Sequence, residues 1–182
     1  MQIKKHILPL VAAAAVGTFS SMAMAQEVAG TSYIGGALGQ GDTNASGLDS
    51  DTAMQIFGGY MFTENFGLEG GYAKYGKFES ATASTDVDGF YAAGVGRYQI
   101  NDKFRVVGKL GLVHYGFENK ANGAVVSSGD GSAAMFGVGV DYTINEQMAV
   151  GAEYDIVNGV EDDDVSAFWI NFTYNLGQVG GE

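Results

Sequence analysis

Apolar residues occupy every second position over long stretches of this chain, and they keep the same parity from one stretch to the next. In residues 134–144 the even positions read Ala, Phe, Val, Val, Tyr and Ile, whereas the odd positions read Met, Gly, Gly, Asp and Thr. After three polar residues the even positions are again apolar, from Met148 to Ile156. A period of two is typical of β-strands that have two different faces. The sequence therefore predicts an all-β fold with one apolar and one polar face.

Eight segments follow this rule, and the breaks between them alternate between short and long. Three short breaks lie inside a repeated phrase at residues 60–66, 98–104 and 142–148: a tyrosine, an apolar residue two places on, three polar residues and another apolar residue. Longer breaks at 41–51, 79–86, 118–132 and 158–164 are predicted loops. We predict strands at residues 32–40, 52–62, 66–78, 87–100, 104–117, 133–144, 148–157 and 165–176. This order predicts an eight-stranded antiparallel up-and-down barrel.

The position of the aromatic residues distinguishes two kinds of barrel. A soluble barrel would have its apolar face inside, and a transmembrane barrel would have it outside. Aromatic residues of the even face gather beside the three short turns, and aromatic girdles of this kind form at the headgroup level of a membrane. This pattern favours the transmembrane barrel. The predicted periplasmic girdle consists of Tyr60, Phe62, Phe66, Tyr98, Phe104 and Tyr142.

The odd face would then line the lumen, where it contributes glycine, alanine and seven charged residues. The predicted lumen charges are Glu69, Arg97, Arg105, Lys109, Asp141, Glu153 and Asp155. They could pair into a network that plugs the barrel, or they could line a narrow ion path. An eight-stranded barrel is just wide enough for its own side chains, which favours the plug. We expect Lys109 or Arg105 to pair with Glu69, Asp141 or Glu153.

Residues 1–25 have the pattern of a secretory signal peptide. Lys4 and Lys5 precede an apolar run at 7–16, and Ala23-Met24-Ala25 is a small-residue cleavage pattern. Ten apolar residues are too few for a membrane anchor, which needs roughly 20. We expect cleavage after Ala25, which leaves a single barrel domain at 26–182. Losing Lys4 and Lys5 would leave seven of nine basic residues against 21 acidic ones, a balance that argues against nucleic-acid binding.

With these features the chain resembles the small eight-stranded outer-membrane barrels, a family that includes the transmembrane domain of outer membrane protein A and the opacity-type proteins. The resemblance runs from SYIGGALG through FGLEGGY and VGKLGLVHYG to FTYNLGQ. It implies a place in the outer membrane of a Gram-negative cell, in contact with lipid and lipopolysaccharide. The sequence does not determine the oligomeric state, for which a monomer is the expectation. It also implies insertion by the barrel assembly machinery, for which Phe172, Tyr174 and Leu176 look like the recognition signal. Many relatives end on phenylalanine, whereas six residues follow Leu176 here.

No pattern predicts catalysis, and no cofactor is expected. His114 is followed by Tyr115-Gly116, not by the serine of the His-x-Ser pair used by outer-membrane lipid A deacylases. The predicted loops are strongly acidic, and their densest cluster is Glu161, Asp162, Asp163 and Asp164. Carboxylate oxygens suit hard divalent cations, so these four residues are candidate metal ligands. A solvated acidic rim is the favoured interpretation.

The sequence therefore predicts a non-enzymatic integral outer-membrane barrel with a structural or surface-interaction role. The main alternative is a low-conductance pore for small solutes or ions, and a further one is a barrel whose loops bind a ligand. A blocked lumen would favour the first role and a continuous water path the second.

Overall fold

Eight antiparallel strands form one closed barrel, as predicted, in which each strand pairs with its neighbours in sequence and β1 pairs with β8. The structure is a computed structural model that describes residues 30–43, 51–79, 83–121, 124–160 and 163–178. None of the described residues belongs to a helix long and apolar enough to span a membrane. The strands are β1 (Thr31–Thr43), β2 (Asp51–Met61), β3 (Phe66–Glu79), β4 (Ala83–Gln99), β5 (Phe104–Ala121), β6 (Ala124–Thr143), β7 (Met148–Val160) and β8 (Asp163–Gln178).

The repeated phrase forms the same turn three times. The residue that opens each turn accepts, through its side-chain oxygen, hydrogen bonds of 2.9–3.3 Å from the N–H groups two and three residues later. The residue before it donates its own N–H to the first carbonyl of the next strand at 2.8–2.9 Å. Asn and Thr favour such local contacts with the backbone, which explains the repeated polar triplet. The opening residues are Thr63, Asn101 and Asn145.

Strand parity separates the inside of the barrel from the outside, as predicted. Tyr33 and Trp169, at odd positions, are at most 1% exposed, whereas Leu38 and Phe90, at even positions, are 65% and 68% exposed. The same parity holds on all eight strands, up to the register shift at Gly76 on β3. The apolar face therefore points outward, which is the arrangement of a barrel whose solvent is lipid.

The outward apolar residues form a belt with a polar limit on the side away from the short turns. On β5 the belt covers residues 104–112, about 26 Å along the strand, or about 20 Å along the barrel axis at a strand tilt of about 40°. This height suits the apolar band of an outer-membrane barrel. The polar residues at the upper limit of the belt, from β1 to β8, are Gln40, Thr52, Lys74, Asp88, His114, Ser132, Asn158 and Ser166.

Outward aromatic side chains are more widely spread than the sequence analysis indicated. Within the predicted girdle, the ring centroids of Tyr60 and Phe62 lie 5.4 Å apart, and those of Phe104 and Tyr142 lie 5.2 Å apart. Exposed aromatics also occur on strands away from the short turns: Phe90, Phe136, Tyr154, Phe168 and Phe172. The statement that the aromatics gather at one rim was therefore too narrow. Period two gives the face of a residue but not its height in the barrel.

The strands continue into the predicted loops. The stretches between consecutive strands are residues 44–50, 80–82, 122–123 and 161–162, so most of the predicted loops at 79–86 and 118–132 is strand. On β4 and β5 the pairing is continuous from Ala83↔Ala121 to Gln99↔Arg105. Ser, Gly and Asp are depleted in strands, but pairing with a neighbouring strand overrides this preference. The prediction of long loops was wrong here because it depended on local composition alone.

Candidate functional site

Lys109 lies at the centre of a charged cluster in the lumen. Its Nζ is 2.7 Å from Oε1 of Glu69 on β3 and 2.8 Å from Oε1 of Glu153 on β7, and the three side chains are at most 5% exposed. The same Nζ lies 5.2 Å from the centroid of the Phe57 ring. Because β3 and β7 are opposite each other in an eight-stranded barrel, this single ammonium group links opposite walls across the lumen.

Two tyrosines complete the environment of the Glu69 carboxylate. Tyr33 donates its hydroxyl to Oε2 at 3.0 Å, and Tyr91 donates its hydroxyl to Oε1 at 2.8 Å. The guanidinium of Arg97 lies over the Tyr33 ring, 4.2 Å from its centroid. Glu69 thus receives two hydroxyl donors and one ammonium, the kind of environment that a buried carboxylate requires.

A second ion pair lies closer to the short turns. Nε of Arg105, the second residue of β5, donates to Oδ2 of Asp141 on β6 at 2.9 Å, and both side chains are buried. A β carbon on Gly151 of β7 would overlap Oδ1 of Asp141. Glycine therefore provides the room for this carboxylate.

On the other side of the Lys109 cluster, towards the long hairpins, the lumen is filled mainly by apolar and aromatic groups. Trp169 donates its Nε1–H to Oδ2 of Asp155 at 3.0 Å, and its ring lies 6.0 Å from that of Tyr75. Other side chains at this level are buried as well: Val87, Val113, Tyr115, Met135, Val157 and Val165. The described lumen is consequently packed with side chains.

The structure places all seven predicted lumen charges inside the barrel. Five of them form the two ion-paired groups, Arg97 contacts Tyr33, and Asp155 contacts Trp169. The sequence analysis missed the aromatic partners Tyr33, Phe57, Tyr91 and Trp169. Their odd position in the strand was the available signal, but the lumen was described only by its glycine, alanine and charges.

Inward glycines accommodate aromatic rings more often than charges. A β carbon on Gly35 would overlap the Phe57 ring, and one on Gly59 would overlap the Tyr33 ring. The same relation holds for Gly71 with Tyr91 and for Gly131 with Tyr115. Charged groups lie over Gly151, as described, and over Gly137, which faces Asp155. Glycine therefore makes room for charged groups in only part of the lumen.

The other predicted site residues lie on the outer face or outside the described residues. Phe172 and Leu176 are exposed on β8 and Tyr174 is half-buried. The signal peptide, Glu161, Asp162 and the side chain of Asp163 lie outside the described residues. Asp164 accepts a hydrogen bond from Nδ2 of Asn158 at 3.1 Å. The part of the chain that the structure describes contains no group of three or more potential metal ligands.

Strand pairing supplies His114 with a serine that its own strand lacks. Ser132 lies opposite His114 on β6, and the two side chains are joined by a 3.2 Å hydrogen bond between Nδ1 and Oγ. Catalytic Ser–His pairs also require a group that orients the imidazole. Within the described residues, no hydrogen bond joins this ring to a carboxylate, so the pair lacks the third member of a triad.

Replacing Asp155 with asparagine is expected to leave the barrel as stable as before or slightly more stable. Within the described chain this carboxylate makes no ion pair, and Lys109 is already shared by two others. Asp155→Asn retains an oxygen for the Trp169 N–H and should raise the free energy of unfolding by up to about 1 kcal/mol. Asp155→Ala removes the acceptor and should cost about 1–2 kcal/mol. Urea unfolding in lipid vesicles measures the free energy of unfolding of the two variants. An equal loss of stability in both would contradict this account.

Comparison with known proteins agrees with the fold. A family described as outer membrane protein beta-barrel domain matches residues 11–175. OprG from Pseudomonas aeruginosa is 16% identical, covers 85% of this chain and 100% of its own, and has a TM-score of 0.62. Ail, the attachment invasion locus protein of Yersinia pestis, is 18% identical, covers 80% of this chain and 97% of its own, and has a TM-score of 0.57. Neisserial surface protein A is 12% identical, covers 79% of this chain and 95% of its own, and has a TM-score of 0.59. No curated protein matches the sequence.

Proposed function

Since the chain belongs to the family of outer-membrane β-barrel domains and lies in the outer membrane of a Gram-negative cell, we propose that it is a sealed, non-enzymatic barrel that acts at the cell surface. The observation that carries this proposal is the bridge from Glu69 through Lys109 to Glu153. It crosses the lumen from β3 to β7 on the opposite side of the barrel, and aromatic side chains fill the lumen between this bridge and the long hairpins. Such a lumen supports a structural or surface-interaction role and argues against a pore.

The outer ends of the strands support a role at the surface. On β5 and β6 the belt ends at His114 and Ser132, and the hairpin continues beyond these residues to Ala121 and Ala124. The names of two relatives, an attachment invasion locus protein and a surface protein, agree with such a role. A non-enzymatic role is supported by the incomplete Ser–His pair described above.

The proposal extends to the partners of the barrel. Lipid and lipopolysaccharide would surround the exposed belt, whose outward side chains include Ile56, Leu68 and Leu112. Phe172, Tyr174 and Leu176 face outward at the end of the last strand, where the barrel assembly machinery could reach them during insertion. We expect a monomer, because within the apolar belt each strand already has two partners in the closed barrel.

Planar-bilayer recording of the refolded protein tests the seal. Heat-modifiable gel mobility first establishes that the barrel has formed. The expected result is a folded barrel without discrete openings, because three ion-paired side chains and their aromatic neighbours occupy the lumen. Discrete openings should appear when Lys109 and Tyr91 are both replaced by alanine, because the two substitutions open an ion path through the lumen. Discrete openings of the unmodified barrel would contradict the sealed role and favour the pore.

A further inference from the structure

An asparagine followed directly by a glycine lies near the outer end of β7. Asn158 is two residues before the end of this strand, and its exposed side chain belongs to the polar limit of the apolar belt. The amide of Asn158 is therefore at the surface of the membrane, where water reaches it. The chain has a second such pair, Asn122–Gly123, which lies outside the described residues.

The main chain at this pair is held less firmly than in the rest of β7. Pairing of β7 with β6 ends at Asn158, so Gly159 has no partner on β6. On the other side the register shifts between Val157 and Val160, and neither Asn158 nor Gly159 has a partner on β8. Residues at a bulge are left out of the regular ladder. The main chain of Gly159 is consequently free of register partners on both neighbouring strands.

One end of the Asn158 amide is hydrogen-bonded and the other faces solvent. Nδ2 donates to Oδ1 of Asp164 on β8 at 3.1 Å. Within the described residues, Oδ1 of Asn158 accepts no hydrogen bond, so water can solvate this oxygen. Solvent therefore stabilises the negative charge that develops on Oδ1 when a nucleophile attacks Cγ. The nucleophile nearest in the chain is the main-chain nitrogen of Gly159.

We propose that Asn158–Gly159 is a site of spontaneous modification, at which the barrel converts its own asparagine into aspartate and isoaspartate. The Gly159 nitrogen attacks Cγ of Asn158, so that an N–Cγ bond forms and the Cγ–Nδ2 bond breaks. The Gly159 amide proton passes through water to Nδ2, which leaves as ammonia, and a five-membered succinimide ring remains. The reacting groups belong to adjacent residues, and glycine has no side chain to hinder their approach.

Water then opens the ring at one of its two carbonyl carbons. Attack at Cγ restores the original main chain, with aspartate at position 158. Attack at the main-chain carbonyl carbon produces isoaspartate, in which the chain continues through the side-chain carboxyl carbon. Each product contains one oxygen atom from water, and the net reaction consumes water and releases ammonia. No oxidant or cofactor is required.

Both products change the outer end of the last hairpin. The new carboxylate replaces the amide that donates to Asp164, so two like charges take the place of a hydrogen bond. Isoaspartate also adds a carbon atom to the main chain of β7, directly at its last pair with β6. The β7–β8 hairpin therefore loosens above the belt, whereas the lumen below keeps its contacts. The modified fraction increases with the age of the barrel.

The test uses the refolded full barrel in lipid nanodiscs, incubated for several days in heavy-oxygen water at neutral and at mildly alkaline pH. Peptide mass spectrometry then measures the loss of ammonia and the uptake of heavy oxygen at each asparagine. Asn171 and Asn175, which precede phenylalanine and leucine, are internal comparisons. Gly159→Ala tests the approach of the nitrogen. Gly58→Ala is the matched control, because a β carbon there makes only ordinary contacts.

We expect conversion at Asn158 to be at least about tenfold faster than at Asn171 or Asn175, because the reacting groups are adjacent and unhindered. It should be faster at the higher pH, since the attacking nitrogen must lose its proton to a base. Gly159→Ala should slow it at least about tenfold, whereas Gly58→Ala should not. Equal rates at the three asparagines, no uptake of heavy oxygen, or equal rates in the two alanine variants would overturn the proposal. None of these outcomes bears on the sealed lumen, which channel recording tests separately.

Discussion

Replacing Lys109 with methionine should lower the free energy of unfolding by about 3–5 kcal/mol, because two buried carboxylates lose their shared partner. Methionine keeps a similar length and apolar stem, so the change removes the charge with little change in volume. Glu69 would retain its tyrosine donors, but Glu153 would lose its ion pair. Urea titration of the protein in vesicles, followed by the emission of the only tryptophan, Trp169, measures the loss.

Lys103 provides a matched control for this substitution. Its Nζ lies 3.3 Å from the Tyr142 hydroxyl at the exposed rim, so Lys103→Met should change stability by less than about 1 kcal/mol. Neutralising the partners should recover most of the loss, since Lys109→Met combined with Glu69→Gln and Glu153→Gln leaves no unpaired charge in the cluster. Equal stability of the two methionine variants would show that the bridge across the lumen contributes nothing.

Adding one methyl group to Gly59 should also destabilise the barrel, by about 2–3 kcal/mol, because the new β carbon would overlap the Tyr33 ring. The ring cannot easily move, since its hydroxyl is bonded to Glu69 and Arg97 lies over its face. The preceding residue, Gly58, points outward, where a β carbon would meet Tyr33 O at 3.5 Å and Ile34 Cγ2 at 3.7 Å, both ordinary contacts. Gly58→Ala should therefore be neutral or raise stability by about 0.5 kcal/mol.

Thermal shift of gel mobility compares these two alanine variants. A second substitution, Tyr33→Leu, distinguishes two causes of the lower stability of Gly59→Ala: overlap with the Tyr33 ring and an effect on the backbone. If overlap is the cause, Tyr33→Leu should remove most of the difference between Gly59→Ala and its parent, because the ring is then absent. A penalty that persists in the Tyr33→Leu background would place the cause in the backbone.

The strand order and the two faces could be predicted because each depends on local information. A period of two determines which residues share a face, and a polar triplet that begins with Thr63, Asn101 or Asn145 encodes the short turns. The seven lumen charges followed from the same parity. The expected pairing of Lys109 and Arg105 with Glu69, Asp141 and Glu153 is also observed. Which base takes which carboxylate could not be predicted, because the contact of Lys109 with Glu153 depends on the register of strands 44 residues apart in the chain. Nothing local predicts that register.

The length of β5 and β6 beyond the belt was missed for a related reason. Residues 118–132 have the composition of a loop, yet β5 and β6 pair through most of this segment. A strand of unfavourable composition forms when its neighbour offers a continuous ladder, and that neighbour is itself stabilised by β4. The aromatic filling of the lumen was visible at Tyr33, Tyr91 and Trp169 but was not recognised, since aromatics were assigned to the membrane surface.

The ion-paired bridge across the lumen is completed only when the last strands have been inserted. Lys109 takes one partner from a strand that precedes it by two and the other from a strand that follows it by two. A chain inserted only as far as β6 would contain the Glu69 contact but not the Glu153 contact. Closure of the last hairpin, β7 with β8, therefore adds the final ion pair as well as the final ladder. The completed barrel is thus favoured over a partly inserted one by the Lys109–Glu153 ion pair in its interior as well as by the ladder between β1 and β8.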